Sequence, residues 1–600
     1  MDVQIAAEAA PTNALYLFQP LLVISSMSTP AKYLFRYCLL FVFTCVNLWG
    51  QPLRQASASA EELRRDTQGR PNILYVTFDD MNDWVGVLGG HPQIQTPHID
   101  RLAERGALFT NAHCVVPACS GSRAANWSGL NPVNNLVYGN GQKLEKTRPN
   151  AMVLTKDLEN QGYATFGTGK LFHGGNEDRF QEYGPDYNKW WPITNAETKI
   201  PKSAIEAGGP FVKHHVPRLG ITLPLNEMPR DRNRGSTTIE SFDWGIIDRP
   251  DEEFTDTLCA NYVIEKLGQK HDKPFFLGLG IYRPHQPLWV PKRFHDMYPP
   301  ETVQLPAVYQ DDLKDVSRIA QGFGRYAVTS GAHKTTVEWG QWRNAVSAYM
   351  ASISYADYLL GRVLDALDAS PYADNTMIVV WSDHGWQLGE KEHWGKFTAW
   401  EGSTRVPLII VPPKNAQPRG FKAGERVHQP VSLLDVYPTV MDLGGLNKRK
   451  DLDGHSLVPL IKNTKANWEH PAVTAIGRGT WSIRDTRWRF IQYFDGSREL
   501  YDLKNDPEEW KNLYGDKAYG KVAKHLAKHV PFDHNWKHYV YYGEFKGVVP
   551  ADGRPLMLYG PGSQIIYESK NVAKDYPEVV KAMEAYLRDN KVTDKYVRMD

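Results

Sequence analysis

The 600-residue sequence has little net charge and nothing repetitive in it. Its 69 lysines and arginines are balanced by 68 aspartates and glutamates, and the net charge of +1 argues against a protein that binds nucleic acid through bulk positive charge. No internal repeat or low-complexity tract is present, and the contents of apolar (42%) and charged (23%) residues are those of an ordinary globular protein. Any anionic ligand must therefore bind at a local site, and the length predicts several domains or a large α/β enzyme.

Cysteine is scarce as well. Of the five cysteines, Cys38 and Cys45 lie in an N-terminal segment that we expect to be removed, and the remaining three are Cys114, Cys119 and Cys259. Three cysteines in a chain of this length predict a fold that is held by its core and not by a disulfide framework. Because the number is odd, at least one of them needs another explanation.

The sequence also lacks a long apolar run. The apolar run near the N-terminus covers residues 37–49, which is shorter than the ~20 residues that a membrane-spanning helix needs. Lys32 and Arg36 precede it, and small residues follow it at 56–60. This order predicts a secretory signal or leader over residues 1–60, with Met27 as an alternative start and a single-pass anchor as the alternative interpretation. We therefore expect a secreted or periplasmic protein without stable membrane insertion.

Four short, continuous apolar runs predict buried parallel strands, because they are rich in β-branched and aromatic residues and do not alternate with polar ones. They cover residues 73–78, 275–279, 377–381 and 408–411. Helical spacing of apolar residues lies between them, over residues 99–107, 153–158 and 344–367. The alternation predicts an α/β fold, a doubly wound mixed or parallel sheet flanked by helices, in which ligands bind beyond the carboxyl ends of the strands.

Carboxylates and an imidazole stand where two of these strands end. Asp79 and Asp80 follow the first strand, and Asp383 and His384 follow the third. Three carboxylates at one edge cannot all stay ionised without a compensating cation, and such oxygen ligands suit Ca²⁺ or Mg²⁺, with His384 as an additional ligand. A capped loop and an ordinary turn are the alternative interpretation. The metal site is favoured because such residues occur at the ends of two strands.

Basic side chains are predicted to reach the same edge. They are Arg123, Lys170, His173, His285 and Lys396. A divalent metal combined with lysines, an arginine and histidines suits a multiply charged oxyanion ester, either a sulfate or a phosphate. Each residue alone would more often be solvated surface, so the prediction depends on the whole set.

Cys119 precedes a predicted helix over residues 123–130, whose N-terminus would favour anions. A thiolate at this position is a conceivable nucleophile, but it would be an unusual partner for hard oxygen ligands. A buried structural thiol is the alternative. The residues alone leave both interpretations open.

The motifs around these residues closely resemble those of the type I (formylglycine-dependent) sulfatases, over about residues 70–515. The segments that carry the resemblance are 78–84, 96–103, 119–123, 128–129, 138–141, 169–173, 381–390, 394–396, 404–408 and 453–457. The spacing of Lys170 and His173, together with segment 282–287, is most similar to the iduronate-2-sulfatase-like branch. The resemblance implies an alkaline phosphatase-like fold and hydrolysis of the sulfate esters of a sulfated oligo- or polysaccharide.

The resemblance also implies roles for the site residues. Cys119 would be oxidised by a formylglycine-generating enzyme, and the formylglycine hydrate would attack sulfur and form an enzyme-sulfate hemiacetal. Elimination, with His173 as the base, would then expel sulfate and restore the aldehyde. Arg123 and Lys170 would steady the formylglycine, while Lys396 and His285 would hold the sulfate and help the leaving oxygen depart. One Ca²⁺ would be held by Asp79, Asp80, the modified Cys119, Asp383 and His384.

One position departs from the family's pattern. The modification motif runs Cys-x-Pro-x-Arg, or has alanine in the third place, whereas this chain has Gly121. Proline fixes φ near about −65° and glycine does not, so we expect conversion of Cys119 to be slower or incomplete. Two alternatives to a sulfatase stay open: a phosphonate or phosphate monoester hydrolase of the same superfamily, and a catalytically silent glycan-binding relative.

The predicted catalytic domain covers residues 66–445, and a smaller C-terminal α+β subdomain covers residues 446–600. Short antiparallel strands are predicted at 481–484, 488–493 and 499–503. The tail after about residue 531 is either part of the substrate rim or a structural appendage. Four further residues either line a sugar pocket or pack in the core, namely Arg283, Trp289, His393 and Trp400.

Overall fold

The computed structural model describes residues 69–599 apart from 175–176, 188–191, 195, 209–211, 230–240, 327–331, 563 and 569. The predicted leader over residues 1–60 lies outside the described residues. Within them, no helix combines the length and the apolar character that crossing a bilayer requires. Cys114, Cys119 and Cys259 are buried free thiols, which confirms that no disulfide framework holds this part of the chain together.

The strands up to residue 432 form a central sheet and several small sheets around it. They are β1 (Asn72–Asp79), β2 (Ala107–Phe109), β3 (Ala112–His113), β4 (Ala164–Gly169), β5 (Glu182–Tyr183), β6 (His214–Val216), β7 (Ile221–Leu223), β8 (Trp244–Ile246), β9 (Phe275–Pro284), β10 (Leu288–Val290), β11 (Thr376–Ser382), β12 (Gln387–Leu388), β13 (Trp394–Gly395), β14 (Arg405–Val406), β15 (Leu408–Val411), β16 (Arg426–Val427) and β17 (Val431–Ser432). Eight of these form the central sheet, in the order β16-β2-β15-β11-β1-β9-β4-β5.

Helices lie between the strands along the chain. In the described part of the chain they are α1 (Pro97–Ala103), α2 (Cys119–Ser128), α3 (Pro132–Asn135), α4 (Leu144–Thr147), α5 (Leu154–Asn160), α6 (Lys202–Gly208), α7 (Thr255–Leu267), α8 (Lys292–His295), α9 (Arg318–Arg325), α10 (His333–Glu338), α11 (Trp342–Ala369), α12 (Glu401–Thr404), α13 (Val436–Leu443), α14 (Val458–Lys462), α15 (Gly520–Leu526), α16 (Gln564–Tyr567) and α17 (Pro577–Asp589). The predicted long helix over residues 344–367 is α11.

The sheet is buried on both faces, which explains the continuous apolar runs. β11, β1, β9 and β4 are parallel neighbours in its middle, and every residue of β1, β9 and β11 is buried. Along β1 the side chains alternate between two cores. Ile73 and Tyr75 belong to the core that contains residues of α2 and α5, and Leu74 and Val76 belong to the core with α11. The predicted doubly wound α/β fold is confirmed.

The structure corrects three predictions of local structure. Leu408–Val411 forms a strand, but β15 runs antiparallel to β11 and β2, because a strand buried on both faces is apolar whatever its direction. The helix predicted over residues 99–107 ends at Ala103, and Ala107 begins β2. The helix predicted to start at residue 123 starts at Cys119 and ends at Ser128.

Two four-stranded sheets follow in the C-terminal part of the chain. Their strands are β18 (Ala472–Ala475), β19 (Trp481–Arg484), β20 (Trp488–Gln492), β21 (Arg498–Asp502), β22 (Trp536–Tyr542), β23 (Phe545–Pro550), β24 (Met557–Tyr559) and β25 (Tyr596–Met599). β18 to β21 form an antiparallel sheet, as predicted. The second sheet, in the order β24-β23-β22-β25, was not predicted, and the domain boundary near residue 446 stays a prediction.

Candidate active site

Four strand ends of the central sheet bring the predicted site residues together. Asp79 ends β1, and Asp80 follows it in the left-handed region with φ 66°. Asp383 and His384 follow β11, Lys170 follows β4, and His285 follows β9. Because β1, β4, β9 and β11 are parallel, their carboxyl ends lie at one edge, as the sequence predicts.

Cys119 lies at the centre of this cluster. It is the first residue of α2 and is fully buried. Its Sγ lies 3.3 Å from Oδ1 of Asp79 and 3.3 Å from Nε2 of His384. The ammonium groups of Lys396 and Lys170 lie 3.0 Å and 3.6 Å from the same sulfur. The site therefore surrounds one sulfur atom with an acid, an imidazole and two cations.

The predicted metal ligands fit a divalent cation. One ligand atom from each of Asp79, Asp80, Cys119 and His384 lies within 4.8 Å of the others, and all four residues are buried. Oδ2 of Asp80 is buried without a hydrogen-bond partner among the described residues, which is the arrangement expected of a metal ligand without its metal. Asp383 is next to the set, because its Oδ1 lies 3.5 Å from Nε2 of His384. Carboxylate oxygens suit a hard cation, and the sulfur of residue 119 is the one donor that does not.

Burial and neighbouring charges set the protonation of the cluster. Burial raises the pKa of Asp80 to about 8, although Lys396 opposes the shift. Burial also raises the pKa of Asp383, but Arg123, followed by His384 and Lys170, outweighs this effect and holds it well below the ordinary value. Burial lowers the pKa of His384 to about 4, so its imidazole is neutral at neutral pH and can ligate a metal.

Arg123 joins α2 to the sheet edge. Its Nε donates to Oδ2 of Asp383 at 2.9 Å, and its NH2 group lies 3.7 Å from Oδ1 of Asp79. The same guanidinium donates to the carbonyl oxygens of Phe78, Lys170 and Leu171. A planar fork with five donors can meet all these acceptors at once, which explains why arginine and not lysine stands here.

The two other predicted histidines lie at the edge of the cluster. Nε2 of His285 is 3.8 Å from Oδ2 of Asp80, and its Nδ1 lies 2.6 Å from the carbonyl oxygen of Gln286. His173 lines a small cleft together with Ser120 and Arg123. Burial, followed by Lys170, lowers the pKa of His173 to about 3. Burial, followed by Lys396, also lowers the pKa of His285 well below its ordinary value, so both imidazoles are neutral at neutral pH and His173 is able to accept a proton.

Two tyrosines that the sequence analysis did not single out also belong to the site. The rings of Tyr187 and Tyr282 stack with centroids 5.3 Å apart, and Nζ of Lys170 lies 5.5 Å and 5.0 Å from the two centroids. The hydroxyl of Tyr282 also lies 2.8 Å from Nδ1 of His285. Tyr282 belongs to segment 282–287, which carries part of the family resemblance, so it could have been identified from the sequence. Tyr187 lies in no such segment.

The four residues offered for a sugar pocket are buried. Arg283 donates to the carbonyl oxygen of Trp289, and both ring nitrogens of His393 hydrogen-bond to backbone oxygens. Trp289 and Trp400 are almost fully buried, and each indole NH donates to a buried carboxylate. Core packing is therefore supported for Arg283, Trp289 and His393, whereas Trp400 also lines a neighbouring cavity, so the sugar-pocket interpretation stays a prediction for it.

The structure explains why glycine is present at position 121. A Cβ built on Gly121 would lie 2.7 Å from Cγ1 and 2.8 Å from Cβ of Val116, closer than real Cβ contacts. Val116 is itself buried. The valine side chain therefore fills the space that the proline or alanine of the resembled motif would need.

We expect Gly121→Ala to destabilise the protein by about 1–3 kcal/mol through overpacking, more than the ~0.5–1 kcal/mol that alanine gains over glycine in a helix. Val116→Ala in the same chain should recover part of this loss, because it removes the overlapping Cγ1 and Cγ2 methyl groups and leaves only the close contact to Cβ of residue 116. Urea unfolding of the two single variants and the double variant measures the coupling. If Gly121→Ala lowered the free energy of unfolding equally in the presence and in the absence of Val116→Ala, the two side chains would not compete for the same space.

The start of the C-terminal tail supports the segment around Cys119. The hydroxyl of Tyr138 donates to the buried Asp533 carboxylate, and Nδ2 of Asn535 donates to the carbonyl of Val133. The loop that follows Tyr138 carries Asn140, whose Oδ1 accepts the backbone NH of Ser120 at 2.9 Å. The tail therefore holds a loop that fixes the residue next to Cys119, which supports a structural role for this part of it.

Tyr138→Phe should lower the stability of the protein by about 1–3 kcal/mol, because it leaves a buried carboxylate without its hydroxyl donor. Tyr541→Phe is the matched control, since this buried tyrosine of β22 packs its ring against Phe494. Thermal and urea unfolding of both variants checks the expectation. If the two substitutions had the same effect, the link between tail and loop would not depend on the Tyr138 hydroxyl.

Comparisons with known proteins identify the family. The profile of the sulfatase family matches residues 71–446, and that of the C-terminal region of N-sulphoglucosamine sulphohydrolase matches residues 389–535. A sulfatase of Formosa agariphila is 34% identical over 455 residues, which cover 74% of this chain and 83% of that protein. Iduronate 2-sulfatase of Mus musculus is 27% identical over 534 residues, which cover 76% of this chain and 93% of that protein.

Solved structures confirm the fold. A phosphonate monoester hydrolase of Agrobacterium radiobacter superposes with a TM-score of 0.59 at 24% identity, over 76% of this chain and 94% of that chain. A 2-O GAG sulfatase superposes with a TM-score of 0.56 at 22% identity, over 76% of this chain and 91% of that chain. The alkaline phosphatase-like fold and the resemblance to sulfatases are both confirmed. The chain therefore belongs to the sulfatase family and is a sulfuric ester hydrolase.

Proposed function

We propose that the protein is a formylglycine-dependent, calcium-dependent sulfatase that acts on a sulfated oligo- or polysaccharide. The state of Cys119 carries the proposal. Burial, followed by Asp79, raises the pKa of its thiol to about 12, so an unmodified thiol would be neither a thiolate nucleophile nor a metal ligand at neutral pH. Oxidised to formylglycine, whose hydrate supplies a hydroxyl nucleophile and a hard oxygen donor, residue 119 would match its surroundings.

The two lysines suit the binding of the sulfate group. Lys396 also contacts Oδ1 of Asp80 at 2.7 Å, and Lys170 contacts Asp79, so each ammonium is held by a carboxylate and directed towards position 119. Asp79 and Cys119 outweigh the effect of burial on Lys170 and raise its pKa, which keeps the group charged. Two fixed cations in a buried site stabilise the negative charge of a sulfate ester and of its transition state.

His285 and His173 suit the proton transfers. The nearby Gln286 carbonyl oxygen fixes the proton of His285 on Nδ1, so Nε2 would accept a proton from water and transfer it to the leaving oxygen. Neutral His173, at the edge of the cluster beside Ser120, is placed to accept a proton when sulfate is expelled. Arg123 would keep α2, and with it residue 119, at the sheet edge.

One Ca²⁺ would be held by Asp79, Asp80, Asp383, His384 and an oxygen of modified residue 119. The carboxylates and the neutral imidazole provide a donor set that hard divalent cations accept, and the unpartnered Oδ2 of Asp80 supports a bound ion. When bound, the ion would polarise the oxygens that approach it. Asp79 and Asp383 would keep their contacts to Lys170 and Arg123, which fix the orientation of the carboxylates.

A sulfated glycan is supported by the relatives. Iduronate 2-sulfatase is among the similar proteins, and one solved structure with the same fold was obtained in complex with its substrate D-glucosamine-2-N,6-O-disulfate. The predicted secretory signal agrees with action on an extracellular or periplasmic polysaccharide. A formylglycine-generating enzyme would be the partner during maturation.

Mass spectrometry of the tryptic peptide Gly106–Arg123 tests the proposal, on protein produced in a host with the maturing enzyme. We expect loss of the Cys119 thiol in favour of an aldehyde, with a fraction of unconverted peptide because of Gly121. An aryl sulfate and the corresponding phosphonate monoester are then compared as substrates, and the sulfate should be hydrolysed faster. Faster hydrolysis of the phosphonate would favour the phosphonate hydrolase, and an unmodified cysteine without turnover would favour a silent glycan-binding relative.

A further inference from the structure

A second cavity, of about 560 Å³, opens at the carboxyl edge of the central sheet. Its walls come from the loop after β1 (residues 82–92), segment 304–307, the turn at 387–391 and the C-terminal segment 503–509. Among the described residues, none of the predicted catalytic or metal-ligating side chains lines it. Asn82, which does line it, stands two residues after Asp80, so this cavity is a neighbour of the active site and not a part of it.

The cavity carries unbalanced negative charge. Glu390 and Glu508 line it and form no ion pair with another described residue. Burial raises the pKa of Glu390 to about 7, and Glu508 and Asp83 add to the shift, so this carboxyl is ionised in part at neutral pH. The basic side chains of the wall already have carboxylate partners: Arg405 with Asp83, Arg484 with Glu401, and Lys391 with Asp312.

An exposed aromatic pair continues two of the cavity walls. Tyr309 follows segment 304–307 and Trp510 follows segment 503–509, and their ring centroids are 6.0 Å apart. Tyr309 is 57% exposed and Trp510 is 38% exposed. Large aromatic side chains left in water next to a polar cavity provide flat apolar faces, and the C–H face of a sugar ring packs on such faces while its hydroxyls find polar partners.

We infer that this cavity and the Tyr309–Trp510 pair form a subsite for an uncharged sugar unit of the glycan, next to the unit that carries the scissile sulfate. The rings stack on the sugar, and the carboxylates of Glu390 and Glu508 accept hydrogen bonds from its hydroxyls. Glu508, together with Glu390 in its ionised form, repels a sulfated or uronic unit, because each lysine and arginine of the described wall is already paired with a carboxylate. The choice of a sugar as ligand rests on the proposed function, whereas the selection against anions rests on the charges alone.

Ligand-observed saturation-transfer NMR tests the inference with the full chain and three trisaccharides. These are cellotriose and N-acetylated chitotriose, which are uncharged, and trigalacturonate, which is anionic. We expect at least one uncharged trisaccharide to bind, and trigalacturonate to bind about tenfold more weakly or not at all. Trp510→Ala and Tyr309→Ala should each weaken binding of the uncharged ligand by about tenfold, the loss of one stacking face. Trp339→Ala, at a tryptophan that is 45% exposed and does not belong to the Tyr309–Trp510 pair, should leave binding unchanged.

Glu508→Gln separates charge selection from stacking. The amide keeps a hydrogen-bonding oxygen and removes the charge, so binding of trigalacturonate should improve while binding of the uncharged ligand persists. The inference is overturned if no uncharged trisaccharide binds, if Trp510→Ala and Tyr309→Ala bind as well as Trp339→Ala, or if trigalacturonate binds more tightly to the unaltered chain. None of these measurements requires turnover, so a failure of formylglycine conversion or of aryl sulfate hydrolysis is recognised separately.

Discussion

Cys119→Ala should lower kcat/KM for an aryl sulfate by at least about four orders of magnitude, the scale on which removal of a catalytic nucleophile acts. Alanine at this position can neither be oxidised to an aldehyde nor supply an oxygen to the metal. The two cations and the carboxylates around residue 119 would remain, so binding of the sulfate group should be affected much less than its hydrolysis. Steady-state kinetics combined with equilibrium binding of inorganic sulfate separates the two effects.

Cys114→Ala is the matched control, because Cys114 is also a fully buried free thiol but lies outside the cluster, with its Sγ 3.8 Å from the carbonyl oxygen of Ser403. Both substitutions remove the single terminal heteroatom of a short buried side chain, so their effects on thermal stability should be similar and only Cys119→Ala should abolish turnover. If Cys119→Ala kept substantial activity, or if Cys114→Ala lost as much, residue 119 would not be the nucleophile.

The central sheet was predictable because burial on both faces leaves an unmistakable pattern in the sequence. Runs at 73–78 and 377–381 correspond to β1 and β11 within a residue at each end. Strand direction was not predictable, because the same pattern describes β15, which is antiparallel. The second C-terminal sheet was missed since β22 is a mixed run of aromatic, basic and apolar residues, and β25 reaches it from more than fifty residues away.

The site was predictable for the opposite reason, because its residues are the polar exceptions at the ends of apolar strands. Asp79, Asp80, Asp383 and His384 were predicted at one edge from their positions after strands, and the structure places them there. The sequence could not predict which residues from distant parts of the chain contact them. Tyr187 reaches Lys170 from a loop without a recognisable pattern, and the exchange of volume between Val116 and Gly121 depends on a contact of 2.7 Å that no composition or periodicity encodes.

Arg123→Met should be the most destabilising substitution in the site, by about 3–5 kcal/mol, because it leaves a buried carboxylate without its cation. Methionine keeps most of the aliphatic volume and removes the five donors, so Asp383 and the carbonyl oxygens of Lys170 and Phe78 all lose a partner. Sulfatase activity should fall with stability, since the same contacts hold α2 against the sheet. Urea unfolding and kcat/KM measured on the same preparation test both expectations.

Arg105→Met is the matched control. Arg105 also binds a carboxylate with both ends of its guanidinium, Asp368 at 2.9 Å, but this pair is partly exposed and lies away from the strand ends. An exposed ion pair contributes about 0–1 kcal/mol, so Arg105→Met should hardly change the unfolding midpoint. Arg123→Lys should lie between the two variants, because one ammonium can offset the charge of Asp383 but cannot reach all the acceptors that the planar guanidinium meets. If Arg123→Met and Arg105→Met lowered the free energy of unfolding by similar amounts, burial would not be the reason for the large contribution of Arg123.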